Sequence, residues 1–273
     1  MERQHFLNKK TMRIVNAPLR SSVDPYDFHK IDCDMICIGG TLSEDADFYA
    51  TSQQLDALAD IGIKVMYSIN PNRTPIDEFN EYIRYKAKGV NVTVIRGFNE
   101  AGNDPDLTQV SSKGNAAYEK GFADCEDYLT KLDDYLSHFE GLGLEIVYSG
   151  LYPYKEMGKK FLSYRKGWNA HLNTSIPLDA GIDFHIYDRC KGDPIDLDQL
   201  PSMNGRRRWL VELGSLINGS LSIAKFRQEY VLSGMKSRIW PNDVLGVQVA
   251  QNKQYNGLLD MDGNLTDWGL FYN

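Results

Sequence analysis

The sequence has no apolar run approaching the ~18 residues that a membrane-crossing helix needs. Its first ten residues, Met1 to Lys10, hold no apolar core of signal-peptide length. No membrane partner is expected, and the expected compartment is the cytoplasm. Basic charge is also scarce: 30 Lys and Arg stand against 37 Asp and Glu, a formal net charge of -7. That balance gives no electrostatic footprint for nucleic acid. The basic cluster Arg206-Arg207-Arg208 lies directly before an apolar run and reads as structural, a source of salt bridges at a strand start. Cysteine is limited to Cys33, Cys37, Cys125 and Cys190, with no metal-ligand spacing. A chain of this length has little need of a disulfide framework, so free and mostly buried thiols are expected. Asp183, His185 and Asp188 lack a second histidine cluster, so no metal is expected. There is no Gly-x-Ser-x-Gly elbow and no phosphate loop. No cofactor is expected.

What is present is ordinary globular material. Hydrophobic residues make up 42% of the chain and charged residues 25%, enough to bury a sizeable core. Tyrosine is plentiful, with 16 copies, and there are 4 tryptophans. Their faces stack on sugar rings and their polar tips bond hydroxyls, although both are also normal core residues.

Short apolar runs recur along the chain at Met12-Val15, Met35-Ile38, Ile63-Ile69, Val92-Arg96, Leu144-Tyr148, Ile182-Tyr187, Trp209-Leu213 and Val244-Val249. Most are rich in Val and Ile and close to continuously apolar, which suits parallel strands buried on both faces. Helical spacings separate them over Ser52-Asp60, Ile76-Lys88, Asn115-Leu142, Lys155-Trp168 and Ile223-Met235. Ser21-Ile31 and Pro194-Pro201 are less regular connections. Gly62, Gly89, Gly141, Gly143 and Gly181 fall at helix ends just before strands. The pattern is strand then helix, repeated about eight times, which predicts an α/β fold: a (β/α)8 TIM barrel, one domain over residues 1–273. A doubly wound open sheet is the competing topology. Against it, no Gly-x-Gly-x-x-Gly follows the first strand.

In such a barrel the active site lies at the C-terminal strand ends. Those ends offer Asn70 after strand three, Asn99 and Glu100 after strand four and Tyr148 at strand five. His185 and Tyr187 lie at strand six, Glu212 at strand seven, and Gln251 beyond strand eight. This ring of acids, amides and tyrosines suits a polyhydroxylated ligand. Two carboxylates on separate strand ends are the minimal machinery for cleaving a glycosidic bond.

Asn99-Glu100 after strand four, His185-x-Tyr187 at strand six and Glu212 at strand seven resemble clan A of the glycoside hydrolases. That clan comprises retaining enzymes of the cellulase, mannanase and β-galactosidase types. The stretch Gly257-Leu-Leu-Asp-Met-Asp-Gly263 also resembles the segment that leads into their last helix. The resemblance implies that Glu100 is the general acid/base and Glu212 the nucleophile. It implies that Asn99 bonds the sugar 2-hydroxyl and that Tyr187 orients Glu212. His185 would contact substrate or the acid/base. The expected partner is an oligo- or polysaccharide with a β linkage, and the sequence leaves the oligomeric state open.

Two family features are missing. Strand two, Asp34-Met-Ile-Cys-Ile-Gly-Gly40, carries no arginine to support the nucleophile, and Arg20 or Arg96 are the possible substitutes. No tryptophan stands directly after strand eight, and Trp240, Trp168 or Tyr255 are possible sugar platforms. The competing reading is a non-catalytic, carbohydrate-binding barrel, a module of a larger surface or phage assembly.

Overall fold

All eight apolar runs form strands. A computed structural model describes residues 12–16, 24–39, 50–103, 105–152, 158–188, 203–215, 244–248, 258–259, 262–265 and 270. The strands are β1 (Met12–Asn16), β2 (Met35–Gly39), β3 (Lys64–Ser68), β4 (Asn91–Arg96), β5 (Glu145–Ser149), β6 (Gly181–Asp188), β7 (Arg208–Ser215) and β8 (Val244–Gln248). They pair in parallel in chain order, and β8 pairs back onto β1 to close the barrel. The open-sheet alternative is thereby excluded.

The described helices are α1 (Ser52–Ile61), α2 (Pro75–Ala87), α3 (Ala116–Leu136) and α4 (Lys159–Ser175). The first two starts have a local cause. Thr51 and Gln54 form a reciprocal capping box at α1, and Thr74 caps α2, whose first residue is Pro75. Two boundaries differ from the sequence expectation. The long helix from Asn115 ends at Leu136 and tightens into a 3₁₀ turn over Ser137–Phe139. The helix expected over Lys155-Trp168 starts at Lys159, after Gly158 at φ 87°, and runs on to Ser175 because Leu172 continues its buried face. The helix expected over Ile223-Met235 and the connection Pro194-Pro201 lie outside the described residues. The irregular Ser21-Ile31 segment contains a 3₁₀ turn, Pro25–Lys30.

The core has two shells. Ile14, Met35, Cys37, Met66, Val94, Val147, Trp209 and Val211 fill the barrel interior. A larger shell, including Ile36, Tyr67, Ile95, Phe184 and Leu210, packs between the strands and the helices. Alternation along a strand sends neighbours to opposite shells. The interior is apolar low in the barrel. It turns polar toward the C-terminal ends, where Ser68, Arg96, Asp183 and His185 are buried.

Two irregularities lie just before the strand ends that carry the glutamates. Between β3 and β4 the register steps from Val65↔Val92 to Met66↔Val94, so β4 holds one extra residue, Thr93. Val92 packs outward and Val94 inward. The bulge therefore resets the alternation, and Arg96 follows Val94 into the interior. Between β6 and β7 the register steps from Asp183↔Trp209 to His185↔Glu212, two residues against three. The extra residue brings Glu212, rather than Val211, level with His185. Bulges of this kind gather near active sites because they re-aim a strand.

The helix layer fixes the rim after β5. Helices α3 and α4 cross where Gly121 and Gly167 face each other. A Cβ on Gly121 would stand 2.0 Å from the Tyr164 carbonyl oxygen, and one on Gly167 2.0 Å from that of Tyr118. That close approach seats Trp168, whose Nε1 donates to the Ser149 carbonyl at 3.0 Å. It also seats Asn169, which bonds both the N–H and the carbonyl of Leu151 at 2.9 and 2.6 Å.

At the opposite end the arginine cluster is structural, as its position implies. Arg206 is buried and donates to the carbonyls of Ile176, Pro177 and Met203 and to Asn173 Oδ1. Arg207 pairs with Glu145 on β5 at 2.9 Å. Cys37 and Cys125 are buried free thiols and Cys33 is a half-buried one, whereas Cys190 lies outside the described residues.

Candidate active site

Arg96, the last residue of β4, organises the upper interior. It is almost fully buried and its guanidinium is held on every edge. Its Nε donates to Asp183 Oδ2 and its Nη2 to His185 Nε2. Nη2 also donates to Asn99 Oδ1 at 2.7 Å, and Nη1 approaches Ser68 Oγ at 3.5 Å. A buried guanidinium cannot shed its proton, so it requires this set of acceptors. Nη1 also lies 3.9 Å from Cys37 Sγ on β2. A guanidinium from β4 thus reaches across the interior toward β2, beside the small Cys37 side chain.

Asp183 is the counter-ion. Burial alone would push its carboxyl up, but the Arg96 guanidinium beside it outweighs burial and holds it below the ordinary carboxylate range. Asp183 Oδ1 is buried with no hydrogen-bond partner among the described residues.

His185 connects this buried pair to the mouth of the barrel. Its Nε2 faces Arg96 and its Nδ1 lies 3.0 Å from Glu100 Oε1. The Glu100 side chain is 29% exposed, whereas that of His185 is 6% exposed. The carboxylate therefore stands at the boundary between core and solvent.

The backbone at Glu100 is unusual. Its φ is 51°, in the left-handed region, and the turn closes with Asn103 N–H donating to the Glu100 carbonyl at 3.0 Å. Gly102, at φ 77°, lies against Trp168, and a Cβ there would meet the indole at 2.6 Å. A non-glycine residue pays for left-handed backbone, so this turn carries strain at Glu100. Comparing two variants that both lack the carboxylate isolates the backbone. Glu100→Gly is expected to be more stable than Glu100→Ala by about 1 kcal/mol, measured from denaturant unfolding midpoints. Equal stabilities, or a more stable alanine variant, would show that the left-handed turn is not the native one.

Asn70 caps a separate buried hub. Its backbone N–H donates to Glu78 Oε2 at 3.0 Å, and Glu78 also receives Tyr67 Oη at 2.8 Å and Arg73 at 3.2 Å. Burial raises the Glu78 carboxyl above its ordinary value although these donors oppose it. The Asn70 Oδ1 accepts from Asn72 N–H at 3.0 Å, so this side chain shapes the loop after β3.

Three groups of sequence expectations fare differently. Asn99, Glu100 and His185 come together around Arg96. Tyr148 is a correction: Val147 faces the barrel interior, so Tyr148 faces outward and packs against the helix shell. It is not at the mouth. Trp168 is likewise a correction, because it is 2% exposed beneath the loop after β4 and offers no platform. The backbones of Glu212 and Tyr187 are placed by register, opposite His185 and Gly214 respectively. Gln251, Trp240, Tyr255 and Arg20 lie outside the described residues.

Asp183 was not anticipated as the partner of an arginine. The available signal was a pair of charges, Arg96 and Asp183, inside otherwise apolar strand runs. The metal reading of Asp183 and His185 has a different resolution: the Arg96 guanidinium engages both residues.

No family model matches the chain, and no curated protein matches it. Solved structures do. An endo-β-1,3-glucanase of glycoside hydrolase family 128, subgroup II, from Sorangium cellulosum aligns with a TM-score of 0.60 at 16% identity, covering 96% of this chain and 97% of that one. A subgroup VI exo-β-1,3-glucanase of the same family, from Aureobasidium namibiae, aligns with a TM-score of 0.60 at 15% identity, over 96% and 95%. An endo-1,4-β-xylanase from Penicillium canescens aligns with a TM-score of 0.50 at 13% identity, over 95% and 92%. The chain therefore has the (β/α)8 fold of these glycosidases over nearly its whole length.

Proposed function

We propose that this protein is a glycoside hydrolase that cleaves a β-linked glycan with retention of anomeric configuration, using Glu100 as acid/base and Glu212 as nucleophile. The observation that carries this reading is the position of His185. Its ring holds the Glu100 carboxylate at 3.0 Å, while the strand register sets the Glu212 backbone directly opposite its own. The Glu100 side chain, from the loop after β4, and the Glu212 backbone on β7 both adjoin this one histidine, which supports a shared site toward the end at which barrels of this kind do chemistry.

The mechanism has two steps. Glu100, protonated, donates to the glycosidic oxygen while ionised Glu212 attacks the anomeric carbon. Glu100 then takes a proton from the water that releases the sugar. Arg96 engages Asn99 Oδ1, which leaves the Asn99 Nδ2 donors for a ligand hydroxyl. Tyr187 would orient Glu212. The double displacement requires the two carboxyl groups ~5–5.5 Å apart.

The neighbours' named substrates supply the test panel: β-1,3-glucan first, then β-1,4-xylan, with β-1,4-glucan as the contrast. Purified protein is incubated with each, and the anomer first released is read by proton NMR. Release of the β-anomer supports the double displacement. Release of the α-anomer would replace it with a single inversion. Binding without turnover on every glycan would transfer the reading to a carbohydrate-binding barrel.

A further inference from the structure

We propose that Arg96 and Asp183 are positioning residues that lock His185 as the neutral Nδ1–H tautomer, so that a protonated Glu100 carries its proton on Oε2. This rests on the reading of Glu100 as the acid/base. The argument begins with the guanidinium, which has only donors and keeps its charge when buried. Its Nη2 donates to His185 Nε2, so Nε2 must present a lone pair and cannot bear hydrogen. An imidazolium is excluded for the same reason, because both its nitrogens are donors. The single ring proton therefore sits on Nδ1.

Asp183 keeps the arrangement in place. Its Oδ2 engages Arg96 Nε and so fixes the plane of the guanidinium. It lies 3.7 Å from His185 Nε2, beyond hydrogen-bond reach, and does not compete for that nitrogen. Asn99 Oδ1 and Ser68 Oγ anchor the remaining edges.

The consequence falls on Glu100. His185 Nδ1–H donates to Oε1 at 3.0 Å, so Oε1 acts as an acceptor in both protonation states. When Glu100 is protonated, the hydrogen is left to Oε2. In the first step that proton goes to the leaving oxygen, and in the second the proton from water returns to Oε2. His185 keeps its own proton throughout and relays none. A histidine locked in the other tautomer would accept from Oε1–H instead and would hold back the proton the reaction needs.

The test reads the tautomer directly. The protein is labelled with ¹⁵N-histidine, and long-range proton–nitrogen correlations are recorded at neutral pH. The chain has five histidines, so a His185→Gln variant assigns the signal. The expected result is a pyrrole-type Nδ1 and a pyridine-type Nε2 in the unaltered protein. Arg96→Lys, chosen because it keeps a cation beside Asp183, is expected to lose that fixed pattern and move Nε2 toward the averaged range. A purely structural arginine would leave the ring signals unchanged. A protonated Nε2 in the unaltered protein, as Nε2–H tautomer or as imidazolium, overturns the proposal whatever the variants do. The readout does not depend on turnover. The expected tautomer in a protein that cleaves no glycan would sink the glycosidase reading alone, and the opposite tautomer in an active enzyme would sink this one alone.

Discussion

Glu212→Ala is expected to lower kcat on the panel's best glycan by on the order of 10⁶-fold, the size of loss that follows removal of a covalent nucleophile. Glu100→Ala is expected to lose roughly 10²–10⁴-fold, the range of general acid–base help. The two variants then separate by chemistry as well as by size. On an aryl glycoside, whose leaving group departs without a proton, Glu100→Ala recovers the first step, whereas Glu212→Ala does not. Added azide distinguishes them further. In Glu212→Ala it attacks a β-glycoside directly and gives the α-azide. In Glu100→Ala it attacks the glycosyl-enzyme and gives the β-azide, because two displacements restore the configuration. Far-UV circular dichroism checks that both variants are folded. Swapped azide products would exchange the two roles. Glycan hydrolysis that survives Glu212→Ala would remove the nucleophile assignment altogether.

The sequence carried the barrel well, and the reason is physical. Parallel strands covered on both faces must be apolar throughout, so each left a run of Val, Ile and Leu that could be counted. Counting gave Glu100 and Glu212 their strand numbers, four and seven. It also set Asn99, Glu100 and His185 at rim positions, where they do meet. What counting could not supply is the side of the sheet. Tyr148 reads as a rim tyrosine until Val147 is seen to face inward, which turns its neighbour outward. The bulges at Thr93 and between Trp209 and Glu212 were equally hidden. An extra residue in a strand changes no composition and breaks no apolar run, yet it decides which residues share a level. The Arg96–Asp183 pair was masked for a related reason: each charge looks anomalous inside its own run, and only the closed barrel brings the two together.

Arg96→Met is expected to destabilise the fold by about 3–5 kcal/mol, because it strands a buried carboxylate. Asp183 is 1% exposed, and the Arg96 guanidinium is the fixed positive charge that neutralises it. The effect has a defined pH dependence. In the intact protein the Asp183 carboxyl sits below its ordinary value of 3.8. Its stabilisation is therefore present above that value and is lost as pH falls through the lower folded one. In Arg96→Met burial acts with the guanidinium removed and raises the same carboxyl. The sign reverses: the variant's native state then holds a proton that its unfolded state releases, so its stability falls as pH rises above 3.8. The gap between the two proteins is accordingly widest near neutrality and narrows in acid. Urea unfolding at a series of pH values measures it. A paired Arg96→Met, Asp183→Leu variant removes both ions together and is expected to regain most of the loss, since an apolar pair of similar volume replaces a buried ion pair at little cost. A constant deficit across pH, unrelieved in the paired variant, would mean that Arg96 supports the barrel by packing its stem and not by neutralising Asp183.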